Sequence, residues 1–200
     1  MQFVAKHWFK LALFALVVIF GAIYLSDRLS EGGTGLPDLG KAPAFALNDF
    51  EGRPVALDDE AGKVRLVYFY FASCPDVCLS TTSVLAEVQS GLKREGLFGG
   101  KSRMISITFD PVRDTPGRLK QFSAAYGADY GGWSFLRGEE DATSKLAESY
   151  GITVVKDGDN YIHSNRIMLI DKTGHIRQRY DGSGVTAEQI VKDVAKLSES

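Results

Sequence analysis

Cys74 and Cys78 are the only cysteines in a chain of 200 residues, four positions apart in the segment FASCPDVCLSTT. A thiol pair at C-x-x-x-C spacing supports two kinds of chemistry. It closes to a disulfide if the loop keeps the Cα atoms within about 7 Å, or its two thiolates grip one soft metal ion. Pro75 pre-sets the next turn toward helix. A sulfur at a helix N-terminus meets partial positive charge, which favours the thiolate. Two cysteines exclude a disulfide scaffold and a four-cysteine zinc or iron–sulfur site. The plainer alternative is a structural disulfide or two buried thiols.

The histidines are His7, His163 and His175. His7 flanks an apolar run, and His175 opens the second strand of a hairpin, where a surface position is expected. His163 lies in NYIHSNRIMLID, just before the first hairpin strand. If that strand runs antiparallel to the central ones, its start lies at the edge holding their C-terminal ends. Cys74 and Cys78 follow the strand Val64–Phe71 at that edge, where open α/β sheets bind ligands. His163 and the two sulfurs are therefore expected to meet. Two thiolates and an imidazole suit copper, because soft sulfur selects Cu(I) and imidazole also accepts Cu(II). Zinc would keep an open fourth position, but no glutamate is placed to serve as its base. Asp110, in TFDPVRDTP, shares this edge and is a candidate to orient His163 or act as an outer anion. Its simpler role is a turn residue, as Asp114 is most simply a helix cap.

The elements that must position these groups follow from pattern. Val64–Phe71 (VRLVYFYF) reads as a strand covered on both faces, and Met104–Phe109 as a second. Leu79–Lys93 carries Val84, Leu85, Val88 and Leu92 on one helical face. Asp114-Thr115-Pro116 opens another helix, and Glu139–Tyr150 is a third, stopped by Gly151. Ile167–Ile170 and His175–Tyr180 form a hairpin. Thr186 begins a capping box for the last helix. Phe45–Leu47 and Pro54–Leu57 form an added N-terminal hairpin. This α/β order is thioredoxin-like: a central sheet flanked by helices. No proline follows Pro116, so the cis-proline of thioredoxin-type oxidoreductases is absent, and His163 occupies about its region. The site reads as altered from disulfide exchange toward metal ligation.

Composition agrees with a globular domain: 44% of residues are hydrophobic, 24% charged, and the net charge is −2. Disordered and collagen-like classes are excluded, and no basic signature for nucleic acid is present. Leu11–Leu25 holds no charge and would be about 22 Å long as a helix, against a hydrocarbon core of about 30 Å. Trp8 and Phe9 extend it, and Lys10 can snorkel. The expected organisation is a cytoplasmic tail over 1–10, a membrane anchor over 11–26, a linker over 27–43 and the domain over 44–200. A cleaved signal peptide competes, but no good small-x-small site follows. Lys6 and Lys10 precede the span, while Asp27, Arg28 and Glu31 follow it. The positive-inside rule then puts the domain outside a bacterial cell membrane, attached by a single pass. In such an oxidising compartment a cysteine pair is open to disulfide formation.

Together, CPDVC, TFDPVRDTP and HSNRIMLID resemble the Sco/SenC copper-chaperone family, from about Pro43 to the C-terminus. The resemblance implies a thioredoxin-like fold and copper held by Cys74, Cys78 and His163. It also implies a copper-accepting client such as a cytochrome c oxidase subunit, since family members deliver copper to that enzyme's dinuclear site or reduce its cysteines. The alternative is a thiol–disulfide reductase working with a thiol reductant, in which Cys74 attacks and Cys78 resolves. Leu79 departs from the proline that many members carry after the second cysteine. The helix then opens with Ser80, Thr81, Thr82 and Ser83. A peroxidase is disfavoured, because Phe71 stands where peroxiredoxins place a threonine.

Overall fold

The computed structural model describes residues 2–30, 35–74, 77–157 and 160–199. The chain divides into two units, with the second beginning at Leu39. The first contains helix α1 (Gln2–Ser30), which runs four residues past the end expected for an anchor over 11–26. From Lys10 to Ala22 every residue is exposed, including Phe14 and Phe20 at 69% and 64%. Among the described residues no helix is long and apolar enough to cross a membrane. The expected anchor is thus present as a helix, not as a demonstrated span.

The second unit starts earlier than the expected Ala44, because residues 39–42 bond to a strand edge. Leu39 N donates to Ile176 O, Ile176 N to Gly40 O, and Ala42 N to Gly174 O. The strands are β1 (Ala46–Asp49), β2 (Pro54–Ala56), β3 (Val64–Tyr70), β4 (Ser102–Thr108), β5 (Trp133–Arg137), β6 (Val154–Asp157), β7 (Asn160–His163), β8 (Arg166–Ile170) and β9 (Ile176–Asp181). The helices are α2 (Val77–Arg94), α3 (Pro116–Ala125), α4 (Glu140–Ser149) and α5 (Ala187–Glu199). Seven strands form one sheet in the order β2-β1-β5-β4-β3-β8-β9. β3 lies parallel to β4 and antiparallel to β8. All seven residues of β3 are buried, Arg65 included, as its nearly continuous apolar and aromatic run requires. The expected N-terminal hairpin forms as β1 and β2 and extends the sheet beside β5.

Side-chain alternation along β3 divides the core. Phe69 meets Tyr150, which ends α4, with ring centroids 5.3 Å apart. Tyr70 points the other way and stacks on Phe122 of α3 at 5.2 Å. Helices α2 and α5 pack together, closely enough that a Cβ at Gly91 would lie 2.6 Å from Val191 Cγ2.

Three details depart from the sequence reading. β5 is a short strand within a segment that reads as a connection. β6 and β7 form a separate two-stranded sheet in which His163 pairs with Val154, so His163 ends a strand of its own as well as preceding β8. Helix α3 is capped by Thr115, whose Oγ1 accepts from Arg118 N. Asp114, the expected cap, is fully buried and turned inward, where its carboxylate answers two donors described below.

Candidate metal centre

The edge formed by the C-terminal ends of β3 and β4 carries the site. After β3 the chain turns, and Cys74 N donates to Phe71 O at 3.2 Å. The turn is held from two sides. Ala72 N donates to Asp114 Oδ2 at 2.8 Å, and the Arg118 guanidinium reaches Ala72 O and Ser73 Oγ at 3.4 and 3.5 Å. Cys78 lies in the first turn of α2, where its carbonyl accepts from Thr82 Oγ1. Pro75 and Asp76 lie outside the described residues. Both cysteines are free thiols and buried.

β7 brings the third group. His163 Nε2 lies 3.3 Å from Cys78 Sγ. The ligand atoms of Cys74, Cys78 and His163 all lie within 4.8 Å of one another. The structure therefore brings together the three residues singled out from sequence. His163 Nδ1 faces Ser164 O at 3.3 Å. An Nδ1–H donated there leaves Nε2 as the lone-pair nitrogen, turned to the sulfurs.

Aromatic rings wall this nitrogen in. Phe109 and Phe71 lie 5.1 and 5.9 Å from the imidazole, and Tyr161 packs on both phenylalanines. Burial lowers the His163 pKa, and the Ser164 carbonyl only partly offsets it. The neutral imidazole is the form that binds metal. Burial also raises the Cys78 pKa strongly, with the adjacent Cys74 adding to it. This runs against the expectation that a helix N-terminus favours the thiolate. At Cys78 desolvation outweighs the hydrogen bonds that lower its pKa, so a soft cation has to displace the proton.

Asp110 takes a different place from the one expected of an imidazole-orienting anion. Its buried carboxylate is paired with Arg113. The Arg113 guanidinium in turn lies 5.7 Å from the ring centres of Phe71 and Tyr161. Asp110 therefore steadies the cation that covers the aromatic wall, with Arg113 and Phe71 between it and His163. Glu140 of α4 also supports the arm: its Oε1 accepts from Tyr161 Oη at 3.2 Å and Lys156 Nζ at 3.0 Å. Glu140, Tyr161 and Phe109 escaped the sequence reading as supports of the site, and from sequence Asp114 reads only as a helix cap. The alternation of Tyr161 and His163 about Ile162 was the available signal for the first of these contacts.

Two sulfurs and one nitrogen converging in a half-buried site make a soft, three-ligand set, the donor chemistry of Cu(I). The sequence profile described as SCO1/SenC matches residues 37–199. The chain belongs to the SCO1/SenC family. It is 30% identical to the "SCO1 protein homolog" of Bacillus subtilis over 159 residues, which is 77% of this chain and 81% of that protein. The SCO1/SenC fold is equally clear in solved structures. BsSco, described as a member of the Sco family of cytochrome c oxidase assembly proteins, superposes with a TM-score of 0.72 at 28% identity, covering 82% of this chain and 97% of that one. Bradyrhizobium japonicum ScoI, solved with copper bound, superposes with a TM-score of 0.66 at 26% identity, covering 78% and 99%.

Proposed function

We propose that this chain is a copper carrier that takes the ion on Cys74, Cys78 and His163 and hands it to a client during cytochrome c oxidase assembly. The observation that carries the reading is the convergence of these three ligand atoms within 4.8 Å. The copper-bound ScoI and the oxidase-assembly role printed for BsSco support the ion and the client class. The chain's own residues do the binding work. Phe71, Phe109 and Tyr161 fix the imidazole and screen it from water. Cys78 releases a proton when its sulfur takes the metal. Attachment to a membrane through α1, with the domain extracytoplasmic, belongs to the same proposal. It is supported by the exposed apolar side chains of Leu11 to Phe20 and by Lys6 and Lys10 ahead of them.

The test is anaerobic copper titration of the reduced chain beside His163→Ala, followed by competition with a chelator. One tight equivalent is expected. Loss of the imidazole should weaken it at least about 100-fold, beyond the 10- to 100-fold range of outer-shell changes. Affinity unchanged by the substitution removes His163 from the site. Absent binding, with the dithiol still turning over a disulfide substrate, transfers the function to thiol–disulfide reduction.

A further inference from the structure

Ser164 and Asn165 join the arm that carries His163 to β8. The ladder between β8 and β3 begins only at Ile167, opposite Tyr68, so the bonds to β3 stop short of the imidazole. A side-chain tie takes over at Asn165, two residues after His163. Asn165 Nδ2 donates to Thr81 Oγ1 at 2.9 Å and to Ser183 Oγ at 3.1 Å. Thr81 is fully buried and follows Cys78 by one turn on the same face of α2. Its hydroxyl hydrogen has two acceptors, Gly182 O and Asn165 Oδ1, both at 3.2 Å. Gly182 N donates in turn to Asn165 O at 3.0 Å. The amide is boxed in, since a Cβ at Gly182 would lie 2.6 Å from Asn165 Oδ1. The helix that carries Cys78 and the arm that carries His163 therefore meet twice. Sγ faces Nε2 at 3.3 Å, and beside that contact Thr81 bonds to Asn165.

We propose that Thr81 and Asn165 are positioning residues of the copper site, their hydrogen bond fixing where the His163 imidazole stands relative to the Cys78 sulfur. The inference rests on the copper reading of Cys74, Cys78 and His163. Neither side chain titrates, so the tie is in place whether the sulfur is thiol or thiolate. It holds the root of the arm, while Glu140 and the rings hold the strands beyond it. A ligand fixed before the ion arrives loses little freedom on binding it. Without the tie the same three groups remain, but the arm has to be ordered at the moment of capture.

The experiment measures copper affinity of the full reduced chain by anaerobic chelator competition. Thr81→Val, Thr81→Ser and Asn165→Ala are each made in the parent and in the His163→Ala chain. In the parent, Thr81→Val and Asn165→Ala should weaken binding about tenfold, the lower end of the range for supporting groups. Thr81→Ser, which keeps the hydroxyl, should restore it. In the His163→Ala chain the same substitutions should change nothing, because no imidazole is left to place. Asn165 is only half-buried, so Asn165→Ala answers the question even if Thr81→Val does not fold. Equal losses in both backgrounds, or no loss in the parent, overturn the inference. Affinity unmoved by His163→Ala alone overturns the copper reading, and the role of the tie with it.

Discussion

Asp114 holds the turn that presents Cys74, and its removal gives a sharp test of how the site is built. The carboxylate is fully buried. Its Oδ2 accepts from Ala72 N at 2.8 Å and from Thr108 Oγ1, while Oδ1 has no partner. Asp114→Ala strands two buried donors, each costing about 1–3 kcal/mol, so a loss of about 3–4 kcal/mol is expected. Asp114→Asn keeps an oxygen for both donors and differs chiefly in charge. Burial raises the Asp114 pKa above its ordinary 3.8, against the opposing pull of the Thr108 and Ala72 hydrogen bonds. Between the unfolded and the raised folded pKa, the folded state therefore holds a proton that the unfolded chain has released. Stability contributed at low pH is lost as pH rises from about 4 through the raised value. Urea unfolding of both chains between pH 4 and 8 should show the difference between them shifting in favour of the Asn variant as pH rises. A pH-independent difference would refute the titration argument. An Ala variant less than 1 kcal/mol below the parent would refute the hydrogen-bond argument.

Other consequences are equally measurable. Thr115→Ala removes the α3 cap and should cost about 1 kcal/mol in urea unfolding, with copper affinity unchanged. Glu140→Gln weakens the tie to Lys156 and Tyr161; amide exchange in β6 and β7 should quicken and copper affinity fall by up to about tenfold. Stripping copper with a chelator should lower the unfolding temperature. A loaded chain at a free ion concentration of about 100 Kd gains about 2.7 kcal/mol, equivalent to roughly 5–10 °C for a chain of this size.

The site was largely readable from residue types and strand direction. β8 does run antiparallel to β3, so the chain before it reaches the edge where Cys74 and Cys78 lie, as Val64–Phe71 and HSNRIMLID together require. What escaped was the arm itself. Gly158-Asp159 is a hairpin signal in the sequence, but strands of four residues give too few alternations to stand out. β5 was missed for the same reason: WSFLR is short and follows a glycine-rich connection. Asp114 reads as a cap because its position before Thr115-Pro116 suits one. Only tertiary packing, with Ala72 N and Thr108 Oγ1 waiting inside, turns it away from the helix. Asp110 was placed at the right edge, but its pairing with Arg113, three residues on, is a local choice that spacing cannot rank against a longer reach to His163.

The ligand set is divided between two sheets. Cys74 and Cys78 come with β3 and α2, anchored in the seven-stranded sheet, whereas His163 comes on an arm whose strands form a two-stranded sheet of their own. Such a hairpin is marginal by itself in water, so its place depends on Glu140 and the ring cluster. Under the copper-carrier proposal this division would let the imidazole leave ahead of the two sulfurs, so that an acceptor's thiol could bind the ion before Cys74 and Cys78 release it.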